Sequence, residues 1–320
     1  MTPIFLLSLP RSGSTLLQRK LMGHREIAST DEPWILLPLL LASQPGMIAG
    51  VHDQTVLSRA LEDFCGGLPG QQGDWDAAVR DFATGLYSRA TGPEKTYFLD
   101  KTPRYALVAE DLIRCFPDAR FIILWRDPLS VVRSMNDTWG GGRWAAHRQE
   151  VDLYAGVDGL LRASDLLGDR CFRLKYEDLV EYPDTLLDSL FAWLGLEPGP
   201  LAAQENSPEL SGRMGDPKRF GDHGKVRRRS PHWRDTALNP ARRRWMRKYL
   251  NWLGPCRLEP MGYSHAEMLQ GLSQAPLTLR GLPQDFLSIL FAPLYAFFDY
   301  PIRKEKLRKA LRGEKIFVLK

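Results

Sequence analysis

Short apolar runs alternate along the chain with stretches whose apolar residues recur every three or four positions. Ile4–Leu9 is apolar except at Ser8 and stops at Pro10 and Gly13, which predicts a buried strand. Ser14–Met22 places Leu16, Leu17 and Leu21 near one face and predicts a helix. Leu36–Leu41 reads as a buried helix after the turn at Asp31, Glu32 and Pro33. Residues 53–64 and 75–90 read as amphipathic helices joined by a Gly-rich loop at 66–73. Thr96–Leu99 is a short strand, and Pro103–Cys115 a helix capped by Thr102 with Pro at its first position. Arg120–Trp125 (RFIILW) is the strongest buried-strand pattern, followed by a helix over Pro128–Thr138 with Asp127 as its N-cap. Residues 145–167 read as helix, Arg170–Lys175 as strand, Thr185–Leu194 as helix closed by Gly195, and 240–253 as helix. Between them, 196–238 is rich in Pro, Gly and charge and reads as mostly irregular.

Strands alternating with helices predict an α/β fold in which helices cover both faces of a central parallel sheet. Ligands of such sheets sit at the carboxyl ends of the strands. With 44% hydrophobic and 25% charged residues in 320, the composition is that of a globular protein, and disorder is excluded for most of the chain. Cys65, Cys115, Cys171 and Cys256 are far apart, which argues against a disulfide scaffold or a zinc finger and for reduced thiols.

The net charge of +5 is unevenly spread. Residues 302–320 hold eight Lys/Arg against two Glu, and 213–248 hold thirteen Lys/Arg against three Asp. Two basic islands on a near-neutral body predict local sites for anionic groups rather than a nucleic-acid coat. The N-terminal apolar run is too short for a signal core, and no run reaches a membrane span, so a cytoplasmic location is expected.

The first strand opens into Pro10-Arg11-Ser12-Gly13-Ser14-Thr15. Gly13 permits close backbone approach, the hydroxyls of Ser12, Ser14 and Thr15 can donate, and the first helical N–H groups favour an anion. Taken alone, the segment also suits a plain helix cap. A Walker-type kinase or ATPase loop is disfavoured, because Ser14 rather than Lys follows Gly13 and the earlier Gly is missing. The second feature is Arg126 at the end of RFIILW, with Ser134 eight residues on.

Together these segments resemble the PAPS-dependent sulfotransferases, whose 5′-phosphosulfate loop and strand-end Arg with a later Ser occur in this order. The resemblance covers about residues 3–253 and implies a P-loop-like three-layer fold. It also implies 3′-phosphoadenylyl sulfate (PAPS) as co-substrate. In that reading Arg11, Ser12, Gly13, Ser14 and Thr15 meet the phosphosulfate, and Arg126 and Ser134 the 3′-phosphate. Tyr176, in a Tyr-Glu-Asp-Leu segment, would lie near the adenine. A late loop resembling that of bacterial members offers Lys225, among several basic residues, as a nucleotide contact.

Cytosolic small-molecule members commonly use a loop Lys and a His base, whereas this chain has Arg11 in the loop. The segment from His24 to Glu32 is instead similar to tyrosylprotein sulfotransferases, in which a Glu about 21 residues after the loop Arg acts as base. This implies Glu32 as the base, with Asp31 next to it as the alternative. The same relatives carry a catalytic Lys in a segment like Leu99–Pro103, which implies that Lys101 and Arg11 stabilise the sulfuryl group and the bridging oxygen. No metal is required if fixed cations carry that charge. The expected partner is a hydroxyl-bearing glycan, lipid or small metabolite. The alternatives are a PAPS-binding protein without activity, attached to a membrane, and a P-loop-like kinase.

The resemblance leaves the C-terminal segment unexplained. The division expected is a sulfotransferase domain over 1–270 and an extension over 271–320. Phe286–Phe298 is apolar all round and is followed by a basic run. Thirteen residues are too few to span a bilayer, so 286–312 is expected either to lie on a membrane surface or to pack against the core or a second subunit.

Overall fold

A computed structural model describes residues 1–42, 44, 54–91, 95–141, 144–197, 233–298, 303–304, 307–308 and 311–313. Its first half runs β1 (Thr2–Ser8), α1 (Ser14–Met22), β2 (Ile27–Ser29), α2 (Leu36–Leu41), α3 (Gln54–Gly66), α4 (Gln72–Thr91), β3 (Tyr97–Asp100) and α5 (Ala109–Cys115). The chain continues through β4 (Arg120–Trp125), α6 (Pro128–Trp139), α7 (Val157–Leu167), β5 (Cys171–Lys175), α8 (Tyr176–Glu181) and α9 (Pro183–Leu194). Helices α10 (Pro240–Leu258), α11 (His265–Gln274), α12 (Leu282–Leu290) and α13 (Ala292–Phe297) close it.

The five strands form one parallel sheet in the order β2-β3-β1-β4-β5. Side chains alternate across it, as the two-residue period of a strand requires. Phe5 and Leu7 of β1, with Phe121 and Ile123 of β4, face a core built from α2, α4, α5, α7 and α10. Ile4, Leu6, Ile122 and Leu124 face the opposite core, against Leu17 and Leu21 of α1 and Leu190 and Phe191 of α9. Both faces are covered, so the central strands β1 and β4 are nearly continuous apolar runs, which is why RFIILW is so legible. The fold is the α/β, P-loop-like three-layer arrangement with a helical C-terminal segment that the sequence predicts.

Several local expectations change. Strand β2 was not predicted: three residues carry no usable period, and its place comes from pairing with β3 and from Ser29 Oγ, which donates to the Leu99 carbonyl at 2.5 Å. The predicted helix over Pro103–Cys115 begins as a 3₁₀ turn, Pro103–Val108. Thr102 does not cap it, because its hydroxyl donates to Asp100 Oδ1 (3.1 Å) and accepts from the Trp34 amide (3.4 Å). Asp127 does cap α6, accepting from the Ser130 amide at 2.8 Å. The predicted helix at 145–167 divides into a 3₁₀ turn, a π turn over Val151–Gly156, and α7. Within it, the Tyr249 hydroxyl takes the Leu153 carbonyl at 3.0 Å and Asp152 turns to Arg104. A Cβ on Gly159 would lie 2.0 Å from the Ala106 carbonyl oxygen, so only glycine lets α7 lie this close to that turn. Helix α10 extends past residue 253, with a kink at Gly254 before Pro255.

Phe286–Phe298 forms parts of two helices rather than one apolar rod. Asp285, just before the run, is 1% exposed and fixes α12. It accepts from the Trp144 amide (2.9 Å), Asn239 Nδ2 (2.6 Å) and Arg242 Nε (2.6 Å).

Candidate active site

Each of the five strands delivers a candidate residue from its carboxyl end. β1 leads into Arg11–Thr15, β2 into Glu32, β3 into Lys101, β4 into Arg126, and β5 into Tyr176. Because β1 is central, the strand order places Glu32 and Lys101 on one side of the Arg11–Thr15 turn and Arg126 and Tyr176 on the other.

The turn is tight. Arg11 (φ 69°) and Gly13 (φ 94°) both adopt left-handed backbone conformations, and no side chain caps α1. A Cβ on Gly13 would fall 2.3 Å from Tyr176 Cδ2, so this position requires glycine for packing as well as for φ. The Arg126 guanidinium carbon lies 4.4 Å from the centre of the Tyr176 ring, and its Nη1 donates to the Arg11 carbonyl at 2.7 Å. Arg11 Nε donates to Ser134 Oγ at 3.3 Å, joining the turn to α6. Ser12 and Ser14 are buried, and Thr15 is half-buried. The structure thus brings Arg11, Gly13, Arg126, Ser134 and Tyr176 together. Lys225 lies outside the described residues.

The residues present fit an anionic phosphate group. Arg126 Nε is buried without a hydrogen-bond partner, and the turn abuts the start of α1, where N–H groups point outward. Turns containing left-handed residues form concavities that take anions.

On the other side, Lys101 Nζ pairs with Glu32 Oε1 at 2.7 Å, at 2% and 11% side-chain exposure. Trp34 Nε1 donates to Glu32 Oε2 at 3.1 Å, so both carboxylate oxygens are held. Trp34 itself has φ 58°, a conformation unfavourable for a bulky residue. Asp31, the alternative carboxylate, is half-buried beside it. Gln18 of α1 donates to Ser29 Oγ (2.7 Å) and to the Thr30 carbonyl (2.8 Å), fixing the chain that leads to Glu32.

Sequence reasoning missed the supports of this pair. Asp100 is fully buried and accepts from Tyr87 (2.6 Å), Tyr105 (3.1 Å) and Thr102 (3.1 Å). Burial pushes its carboxyl up to about 6, against the pull of those donors. It also missed Glu177, whose Oε1 accepts from the Asp127 amide (3.1 Å) and Oε2 from the Tyr263 hydroxyl (2.7 Å). Trp233 Nε1 donates to Asp127 Oδ2 at 2.9 Å. The one available signal was that Glu177 directly follows Tyr176 in the same short segment.

Comparison with known proteins identifies the family. A family model described as "Sulfotransferase family" matches residues 3–199. The "Nodulation protein NoeE" of Sinorhizobium fredii is 31% identical over 219 residues, covering 61% of this chain and 50% of that protein. "Protein-tyrosine sulfotransferase 2" of Gallus gallus is 26% identical over 198 residues, covering 60% and 51%. The chain spans about half the length of these curated relatives. Among solved structures, the sulfotransferase domain from the Synechococcus PCC 7002 olefin synthase matches at 27% identity and TM-score 0.48, covering 68% of this chain and 82% of that one. The matched span of the family model takes in β2 to β5, all of β1 but Thr2, and every candidate residue described above on their carboxyl ends, and the chain belongs to the sulfotransferase family.

Proposed function

We propose that this chain transfers a sulfuryl group from PAPS to an acceptor hydroxyl by direct in-line displacement. The observation that carries the reading is the convergence of an anion-fitting turn and a carboxylate–ammonium pair on the carboxyl edge of one sheet. PAPS supplies the sulfuryl group and a phosphate leaving group. Arg11, Ser12, Gly13, Ser14 and Thr15 bind its phosphosulfate, Arg126 and Ser134 its 3′-phosphate, and Tyr176 lies beside its adenine; Lys225 is a further contact. Glu32 takes the proton of the acceptor hydroxyl. Lys101 and Arg11 hold the negative charge that builds on the sulfuryl oxygens and the leaving phosphate, the role in which fixed donors contribute most. No metal is required.

The acceptor is a glycan, lipid or small metabolite. The domain that does this is residues 1–270, with 271–320 as an extension. The compartment is the cytoplasm, where its widely spaced cysteines stay reduced. No described helix is long and apolar enough to cross a membrane.

The test is transfer of ³⁵S from labelled PAPS into a cell extract separated into lipid, glycan, protein and small metabolites, with Glu32→Gln in parallel. Label in one fraction that the variant fails to produce supports the reading and names the acceptor class. PAPS binding without transfer in any fraction favours a binding protein without activity.

A further inference from the structure

Helix α12 turns most of its large apolar residues to the outside. Its inward side carries Ile289, packed against the core, and two polar ties: buried Asp285 on Trp144, Asn239 and Arg242, and Ser288 Oγ, which donates to the Trp144 carbonyl at 2.6 Å. Its outward side is apolar. Phe286, Leu287 and Leu290, and beyond them Phe291, Leu294 and Phe297, are between 50% and 79% exposed. A surface helix of a water-soluble protein ordinarily turns such residues toward the core. Asp285 is the sole charged residue of 281–298, and it is buried, so this apolar surface carries no formal charge.

In the sequence the apolar stretch is followed by Asp299 and then, from Arg303, by a basic run. The Arg303 guanidinium lies 5.0 Å from the centre of the Phe298 ring, and Arg303, Lys304 and Arg308 are exposed. The net charge of +6 over 302–320 exceeds that of the whole chain.

We propose that α12 and α13, with the exposed Arg303, Lys304 and Arg308, dock this protein on the surface of an anionic lipid bilayer. Two features decide the occupant. An uncharged apolar surface flanked by cations matches an anionic interface, where apolar side chains enter the acyl boundary and Lys/Arg stay among the headgroups. A symmetric pairing of two copies through the same surface would bring two segments of +6 together, which opposes self-association. The apolar stretch is too short to span, so docking is peripheral. This proposal does not depend on the sulfuryl-transfer reading.

The test is co-sedimentation of the full chain with phosphatidylcholine vesicles and with vesicles containing phosphatidylglycerol at about a third of the lipid, in low and high salt. Binding at least tenfold tighter to the anionic vesicles and weakened by salt is expected. The variant Phe291→Asp/Leu294→Asp, altered only at exposed positions, is expected to lose binding at least tenfold while melting as the parent does. A second variant, Arg303→Glu/Lys304→Glu, should lose the preference for anionic lipid. Equal affinity for both vesicle types, no binding at low salt, or binding untouched by the Phe291/Leu294 variant each overturns the proposal. So does a dimer in solution that the same variant dissociates.

Discussion

Lys101 Nζ and Glu32 Oε1 lie 2.7 Å apart across 69 residues of sequence, and the lysine is almost wholly removed from water. The pair therefore serves folding as well as the proposed chemistry. Removing one partner of a buried ion pair leaves an uncompensated charge and costs on the order of 3–5 kcal/mol. Glu32→Ala is expected to lower stability by about that much, measured by urea denaturation. Glu32→Gln keeps an acceptor for Lys101 but has no base. It is expected to bind PAPS as the parent does and to lose turnover about 10²–10⁴-fold. Near-normal turnover in Glu32→Gln would move the base to Asp31.

Trp34 holds the other oxygen of Glu32 through its indole N–H. A hydrogen bond to a charged group contributes about 1.5–3 kcal/mol. Trp34→Phe keeps the ring and deletes the donor. Turnover is expected to fall roughly ten- to a hundredfold, with PAPS affinity unchanged in calorimetry. Equal losses in turnover and affinity would mean that the whole site had shifted, and that Trp34 does not act through Glu32.

Gly13 meets the Tyr176 ring where a side chain would begin. Gly13→Ala is expected to weaken PAPS binding strongly. Adding Tyr176→Ala removes the clash but leaves an alanine at φ 94°. The double variant is therefore expected to regain stability in thermal melts but not affinity. Full recovery of affinity would mean that neither the backbone turn nor the tyrosine shapes the binding site.

Much of this was legible in the sequence because it is local. RFIILW announces a strand buried on both faces, Asp127 announces its helix, and the motif residues sit at fixed offsets from strand ends. What was illegible depends on distant partners. Strand β2 exists because Leu99 and Gln18 hold Ser29. Thr102 is drawn from capping by Asp100 and Trp34. The buried ties of Asp100 to Tyr87 and of Asp285 to Arg242 join residues whose surroundings show no period. Helix α12 carries a pattern that is plain in sequence, but its inward side is set by Asp285, Ser288 and Ile289 rather than by its larger apolar residues.

Asp100 gives the site a pH signature. Burial is the largest influence on its carboxyl and raises it from 3.8 to about 6, while Tyr87, Thr102, Tyr105 and Lys101 pull the other way. A raised pKa means that the folded protein holds this proton more tightly than the unfolded chain does. The stabilisation is complete below pH 3.8 and is lost as pH rises through about 6. Asp100→Asn cannot titrate and keeps an acceptor oxygen for Tyr87. The stability of the parent relative to this variant is expected to fall by roughly 3 kcal/mol between pH 3.5 and pH 7, measured by urea denaturation at stepped pH. Other carboxylates titrate in the same range, but they are common to both proteins and cancel in the difference. A difference that stays flat would mean that Asp100 ionises in the fold as it does in the unfolded chain. The hydrogen bonds from the two tyrosines would then offset the whole cost of burying its charge beside Lys101.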